Sequence, residues 1–442
     1  RRDEGGPPGT ALRPLARRVH FLAAILVAPL LLLLCLTGLA YVFSPQIHDD
    51  LYAKQLYVGE VGEVPRPVAE QIATAMARHP EAELRSVVPP QAADRTTQVN
   101  LSTPGQEPGT ARTVYVDPYT NYVDGELTTI GGRLPANVWL REFHSNLHLG
   151  EFGRLYSETA ASWLPVIALG GLVLWLVKQG RKPRSAAEVL VPKVRGKNPQ
   201  ARLKSVHGPL GLWLAGGLVV MAVTGLMMSR FAGSGLFAWR APRLRAAPVD
   251  VPPGPNPVGV DTVLEVARSH GLDGALQVDV PTAPGEVFTV AQTAPGLPIR
   301  RDTIAVDPYS AAVTEHLRWS DYPFLAQVRV LGTSLHTGTL FGLANQVLLA
   351  LFAIGTIVLL VGGYLMWWKR SPYRGQLPPA PQAALRATPW PWTVVALVVA
   401  AALAWYLPTF GVTLVLFVAA DVSIGAVRRI RARSKVPPAA GR

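Results

Sequence analysis

Four of the nine histidines in this 442-residue chain stand at equivalent places in its two halves. His20 lies 17 residues before Thr37-Gly38-Leu39, and His207 lies 17 residues before Thr224-Gly225-Leu226. His144 precedes Trp175 by 31 residues, and His336 precedes Trp367 by the same 31. That stretch aligns without a gap, matching Gly150 to Gly342 and Gly170-Gly171 to Gly362-Gly363. Neutral imidazole is the commonest side-chain metal ligand. Two imidazoles from facing helices can supply both axial ligands of a haem iron. Haem binding also needs an apolar slot and cations for the propionates. Small residues such as Gly38, Gly170, Gly171, Gly216, Gly217, Gly225, Gly362 and Gly363 let helices approach or leave room for a flat macrocycle. Arg17, Arg18, Arg202 and Lys204 lie near His20 and His207, and Arg141 lies one helical turn before His144. They are candidate propionate contacts.

His148 follows His144 by four residues and shares its face if that stretch is helical. Its repeat partner is Leu340, so it reads as an alternative ligand, a supporting group or a surface residue. His48, His79, His270 and His316 read as structural, and Cys35 as an inert small apolar residue. One cysteine excludes an intramolecular disulfide and covalent haem attachment through Cys-x-x-Cys-His.

The elements that must position these histidines are membrane helices. Hydrophobic residues make up 49% of the chain and charged residues 16%, with a mean hydropathy of +0.24. That balance excludes a disordered chain and argues against a purely soluble one. Residues 21–43 are uncharged and long enough to cross about 30 Å of hydrocarbon. They exceed the apolar region of a signal peptide, and no small-residue cleavage site follows. Further spans are expected at 159–178, 207–229 and 343–369. Residues 391–427 form a two-helix hairpin turning near Pro408. The expected class is a membrane α-helical bundle of about six spans, as two parallel span–loop–span repeats plus the hairpin.

The segments 1–19, 178–206, 369–389 and 428–442 carry 24 Lys and Arg against Asp3, Glu4 and Glu188. The long loops carry 18 Lys and Arg against 25 acids, and Asp421 remains inside the last span. The basic segments, with both termini, are therefore expected on the cytoplasmic side, and the two long loops in the periplasm. The net charge of +13 is then a topology signal, and nothing points to nucleic acid. The expected organisation is a cytoplasmic N-terminus and first span (1–43), a periplasmic domain (44–158), a basic loop (179–206), a second periplasmic domain (230–342), a Pro-rich linker (370–390) and a basic tail (428–442).

Each periplasmic domain reads as a small α+β unit. The first has a helix at 68–78 and strands near 83–88, 98–102 and 113–117. The second has a helix near 261–269 and strands near 275–279, 287–292 and 301–307. Asp117-Pro118-Tyr119 and Asp307-Pro308-Tyr309 read as turns. Trp175, Trp367 and Trp368 read as interface anchors. Zinc is the rival metal. It wants about four close ligands, but the histidine pairs fall at opposite faces of a membrane about 30 Å thick. Interfacial histidines can also simply cap helices or bond headgroups. For a single one that reading is favoured by roughly two to one, and four at repeat-equivalent positions reverse the preference. No nucleotide-binding glycine loop or Gly-x-Ser-x-Gly is present.

The series Arg17-Arg18-Val19-His20 … Leu36-Thr37-Gly38-Leu39, Val116-Asp117-Pro118-Tyr119, Phe143-His144-Ser145-Asn146-Leu147-His148-Leu149-Gly150 … Gly170-Gly171-Leu172-Val173-Leu174-Trp175 and Pro408 … Gly411 … Asp421 resembles the PepSY-associated transmembrane proteins. That family includes FoxB-type haem-containing ferric-siderophore reductases of the bacterial inner membrane. The resemblance implies two b-type haems, PepSY-like periplasmic domains and reduction of a ferric siderophore on the periplasmic side. It implies His20, His144, His207 and His336 as axial ligands, with Leu335-His336-Thr337-Gly338 departing from the first repeat. Topology pairs His20 with His207 and His144 with His336. Electrons would come from a membrane quinol or a separate reductase. The other readings are a membrane-anchored PepSY module that binds or restrains a periplasmic partner without redox activity, and an iron or haem permease.

Overall fold

The structure is a computed structural model, and it describes residues 8–179, 185–192, 198–235, 237–238, 242–244, 257–369 and 388–433. The expected Pro-rich linker falls almost wholly outside them. In chain order the elements are α1 (Pro8–Val42), α2 (Ser44–Leu51), α3 (Ala53–Leu56), α4 (Val68–Arg78), β1 (Glu83–Val88), β2 (Thr97–Ser102), β3 (Thr110–Val116), β4 (Val123–Ile130), α5 (Pro135–Asn146), α6 (Gly150–Gln179), α7 (Ala186–Leu190), α8 (Pro199–Met228) and α9 (Phe231–Ser234). There follow α10 (Val260–Ser269), β5 (Leu276–Asp279), β6 (Phe288–Gln292), β7 (Thr303–Val306), β8 (Val313–Leu317), α11 (Phe324–His336), α12 (Gly342–Trp368), α13 (Trp390–Tyr406) and α14 (Pro408–Arg433). Five stretches among the described residues are long and apolar enough to cross a membrane: Arg13–Val42, α6, α8, α12 and Pro408–Val427. The helix α13 is apolar but shorter, at 17 residues. The chain is a multi-pass membrane protein.

The chain divides into two compact units. The helical unit holds residues 1–39, 143–238 and 347–442. In it α6 packs along α8, and Phe352 of α12 lies against Gly217 of α8. The hairpin of α13 and α14 turns at Leu407-Pro408, as the proline suggested. It is pinned to α6 by Trp163, whose Nε1 donates to Thr413 Oγ1 at 2.9 Å and whose ring meets those of Phe410 and Phe417. The membrane helices overrun the expected spans, because α6 starts at Gly150 and α8 at Pro199, inside the stretches read as loop. Asn198 starts α8 by accepting from the Gln200 and Ala201 N–H groups.

The second unit holds residues 40–142 and 239–346. Its two β segments form one antiparallel sheet in the order β4-β3-β2-β1-β5-β6-β7-β8. This corrects the expectation of two separate α+β domains. Each half is a four-strand meander, whose last strands, β4 and β8, lie beyond the three expected in each half. The halves join where β1 pairs with β5, placing Ser86 opposite Asp279 and Val87 opposite Val278. Pairing these two strands removes an exposed edge from each half. The helices α4 and α10 pack together over the sheet. Val87, Val99, Val114, Val278, Val290 and Ile304 form a fully buried core with Val263 and Ala267 of α10. Asp261 of α10 accepts from Val68 and Ala69 N–H at 2.8 and 2.9 Å, so the second half caps the helix of the first. Alternation showed that each half has an apolar face, but not that the two faces share a core.

The two Asp-Pro-Tyr segments are turns built by the aspartate. Asp117 Oδ1 accepts from Tyr119 N at 2.8 Å, and Asp307 Oδ1 accepts from Tyr309 N at 2.7 Å and Ser310 N at 3.0 Å. The Ser310 and Tyr309 N–H groups hold the Asp307 carboxyl below its ordinary value. A lowered folded-state value contributes stability above the unfolded value of about 3.9, and that stability is lost as pH falls through the folded value. Asp307→Asn keeps the acceptor and cannot titrate. Its melting temperature is expected to fall less than that of the wild type between about pH 6 and pH 3. Parallel acid-induced losses in thermal melts would refute this.

Candidate functional site

His20 and His207 sit on α1 and α8 with ring centroids 6.4 Å apart and planes at 78°. His20 Nδ1 lies 2.8 Å from the Ile167 carbonyl of α6. A carbonyl only accepts, so Nδ1 carries the proton and Nε2 keeps a lone pair. The equivalent carbonyl, Leu359 O on α12, interacts with His207, although Nδ1 falls short of a full hydrogen bond. Each ring lies against the second glycine of a Gly-Gly pair. A Cβ on Gly171 would come 2.8 Å from His20 Cε1, and one on Gly363 would come 3.8 Å from His207 Cε1. Tyr364 straps α12 to α1 by donating to the Ile25 carbonyl at 2.7 Å. Pro29 has no N–H, so this carbonyl lacks its helical donor.

His144 lies near the end of α5. Its Nδ1 is 3.0 Å from Thr37 Oγ1. That hydroxyl spends its proton on the Leu33 carbonyl at 2.8 Å, so His144 Nδ1–H is the donor and Nε2 keeps its lone pair. A Cβ on Gly38 would come 3.0 Å from His144 Cε1. Burial lowers the pKa of His144 to about 4, which keeps the ring neutral at physiological pH. Thr224 repeats the Thr37 arrangement, with its hydroxyl donating to Val220 O at 2.8 Å. The sequence marked the Thr-Gly pairs as repeat landmarks but gave no sign that Thr37 and Gly38 touch a histidine.

The other expected site residues fall as follows. His336 is the last residue of α11 and belongs to the second unit. His148 does not share a helical face with His144. α5 ends at Asn146, and Leu147 and His148 take left-handed backbone conformations, with φ of 53° and 55°. The exposed His148 ring stacks on Phe143. Arg17 and Arg141 are exposed. Arg18 makes an ion pair with Asp421 of α14, an engagement that competes with any propionate contact. His79, His270 and His316 contact Glu126, the Val266 carbonyl and Asp302 respectively, which suits structural roles. Sequence reading also placed Glu158 at the end of the first outer domain. It lies instead inside α6, 2% exposed, and accepts from Phe231 and Ala232 N–H at the start of α9.

The residues fit a bis-imidazole iron site better than a bare metal ion. Metal–imidazole bonds of about 2 Å on opposite sides of one ion put the two ring centres roughly 6 Å apart, close to the separation of His20 and His207. Among the described residues, no group of three or more His, Cys, Asp or Glu could hold a metal ion. The sequence profile of the PepSY-associated TM region matches residues 17–370, and the chain belongs to that family. Comparison with curated proteins finds no match.

Proposed function

We propose that this member of the PepSY-associated transmembrane family is a haem protein of the bacterial inner membrane that reduces ferric siderophores. The observation that carries the reading is the His20–His207 pair, 6.4 Å apart on two membrane helices. Haem b would supply reversible one-electron chemistry at such a pair. The chain's own part is to hold the two imidazoles close together, fix the His20 tautomer through its Nδ1 and exclude water with apolar helices. His144 has the same arrangement on Thr37 and Gly38. For its pairing with His336 the support is the sequence repeat and the resemblance.

The proposed topology rests on the basic segments alone: His20 and His207 would lie toward the cytoplasmic side, and the two long loops in the periplasm. A quinol or separate reductase is the proposed donor, and a ferric siderophore bound on the periplasmic side is the proposed substrate. Reduction to Fe(II) would loosen a chelate built from hard oxygen donors. The permease reading has less support, because Asp421 is engaged by Arg18, and Glu158, deeper in α6, by two backbone N–H groups.

Protein purified in detergent from haem-replete cells tests the proposal through oxidised and dithionite-reduced spectra with a haemochrome count. Two b-type haems per chain, reoxidised by ferric siderophore, are expected. A colourless protein would overturn the reading and favour the non-redox binding module.

A further inference from the structure

We infer that the indole N–H groups of Trp175 and Trp367 bind the acidic edge of the haem held by His20 and His207, each donating to a propionate. The inference rests on the haem reading above. Both indole nitrogens are buried without a hydrogen-bond partner. A buried donor left unpaired loses its hydration with nothing in return, so two at repeat-equivalent positions call for an acceptor. Trp175 is 9% exposed, and its ring presses on Gly208, the neighbour of His207. Only Trp368, at 59% exposure, fits the interface role that sequence alone gave all three tryptophans.

Position ties both donors to the histidine pair. Trp175 lies four residues after Gly171, which cradles His20, and Trp367 lies four after Gly363, which faces His207. Four residues are about one helical turn, so each indole shares a face with its glycine. The nearest hydroxyl to Trp367 on its own helix, Tyr364, donates to Ile25. A cation follows each tryptophan by three residues, Lys178 in one repeat and Arg370 in the other. The Lys178 ammonium stands 5.0 Å from the Trp175 ring centroid, while Arg370 lies outside the described residues. Two donors related by the repeat, the first of them beside the Lys178 ammonium, match a ligand with two carboxylates on one edge.

The test titrates haem-stripped full-length protein with iron protoporphyrin IX and with its dimethyl ester, which lacks the carboxylate charges. Wild type, Trp175→Phe, Trp367→Phe, the double variant and a Trp368→Phe control are compared. Wild type and W368F are expected to prefer the diacid at the His20–His207 site. Each single variant should lose about tenfold of that preference, and the double variant nearly all of it. The bound-haem reduction potential of that site should also shift in W175F and W367F and stay fixed in W368F. Phenylalanine variants that keep the wild-type diacid preference and potential overturn the inference and leave the haem reading standing. Wild-type protein that binds neither porphyrin overturns both.

Discussion

Alanine in place of His20 is expected to remove one of two haems, and alanine at His207 to remove the same one. The rings face each other at 6.4 Å from different helices, so one iron would be held by both. Residues that act as a unit are strongly non-additive. The double variant should therefore match either single variant in haem count and reduced spectrum. His144→Ala should act on the other haem, and combined with His20→Ala it should leave none. Ferric-siderophore reduction by each single variant should fall at least about 100-fold, since loss of groups that merely support a ligand already costs 10–100-fold. Haemochrome counts and spectra of the five variants decide the matter. Two full haems in His20→Ala, or additive losses from His20→Ala and His207→Ala, would refute the pairing.

The repeat made this pairing legible, because spacing in sequence survives folding. Hydropathy found the long helices for the same reason: twenty apolar residues declare themselves locally. The hairpin turn at Pro408 and the strands near 83–88 and 287–292 were equally local. What stayed hidden depends on contacts across the chain. No property of β1 announces that its free edge pairs with β5, and nothing around Asp261 shows that it caps α4. β4 reads Val-Asp-Gly-Glu-Leu-Thr-Thr-Ile, with a central glycine and two acids, and so lacks a clean apolar alternation. The helix continuing to Gly150 was obscured by Glu151, Arg154 and Glu158, polar residues that the fold pairs or caps. His148 departs from the helical spacing because the backbone at Leu147 and His148 turns left-handed, which no residue type there signals.

Gly171→Ala is expected to weaken the His20–His207 haem site where the repeat-equivalent Gly363→Ala does not. By sequence the two glycines are interchangeable, and a helix gains up to about 1 kcal/mol from either substitution. The contacts differ. The new methyl at 171 would stand 2.8 Å from His20 Cε1 and 3.2 Å from Nδ1, and at 363 it would stand 3.8 Å from His207 Cε1. The last is ordinary contact. The first two demand that the ring move, and the ring is not free to swing, because Nδ1 is held at 2.8 Å by the Ile167 carbonyl. Overpacking costs about 1–3 kcal/mol, and a ring that turns away also gives up a hydrogen bond worth about 1 kcal/mol. Haem loss from that site should therefore be about ten- to a hundredfold faster in Gly171→Ala, with Gly363→Ala close to wild type. Gly216→Ala, which meets nothing within 4 Å, serves as the control for the helix effect alone. Haem transfer to excess apomyoglobin measures all three rates. Equal acceleration in Gly171→Ala and Gly363→Ala would mean that the repeat, and not the individual fit of each ring, sets the tolerance of the site.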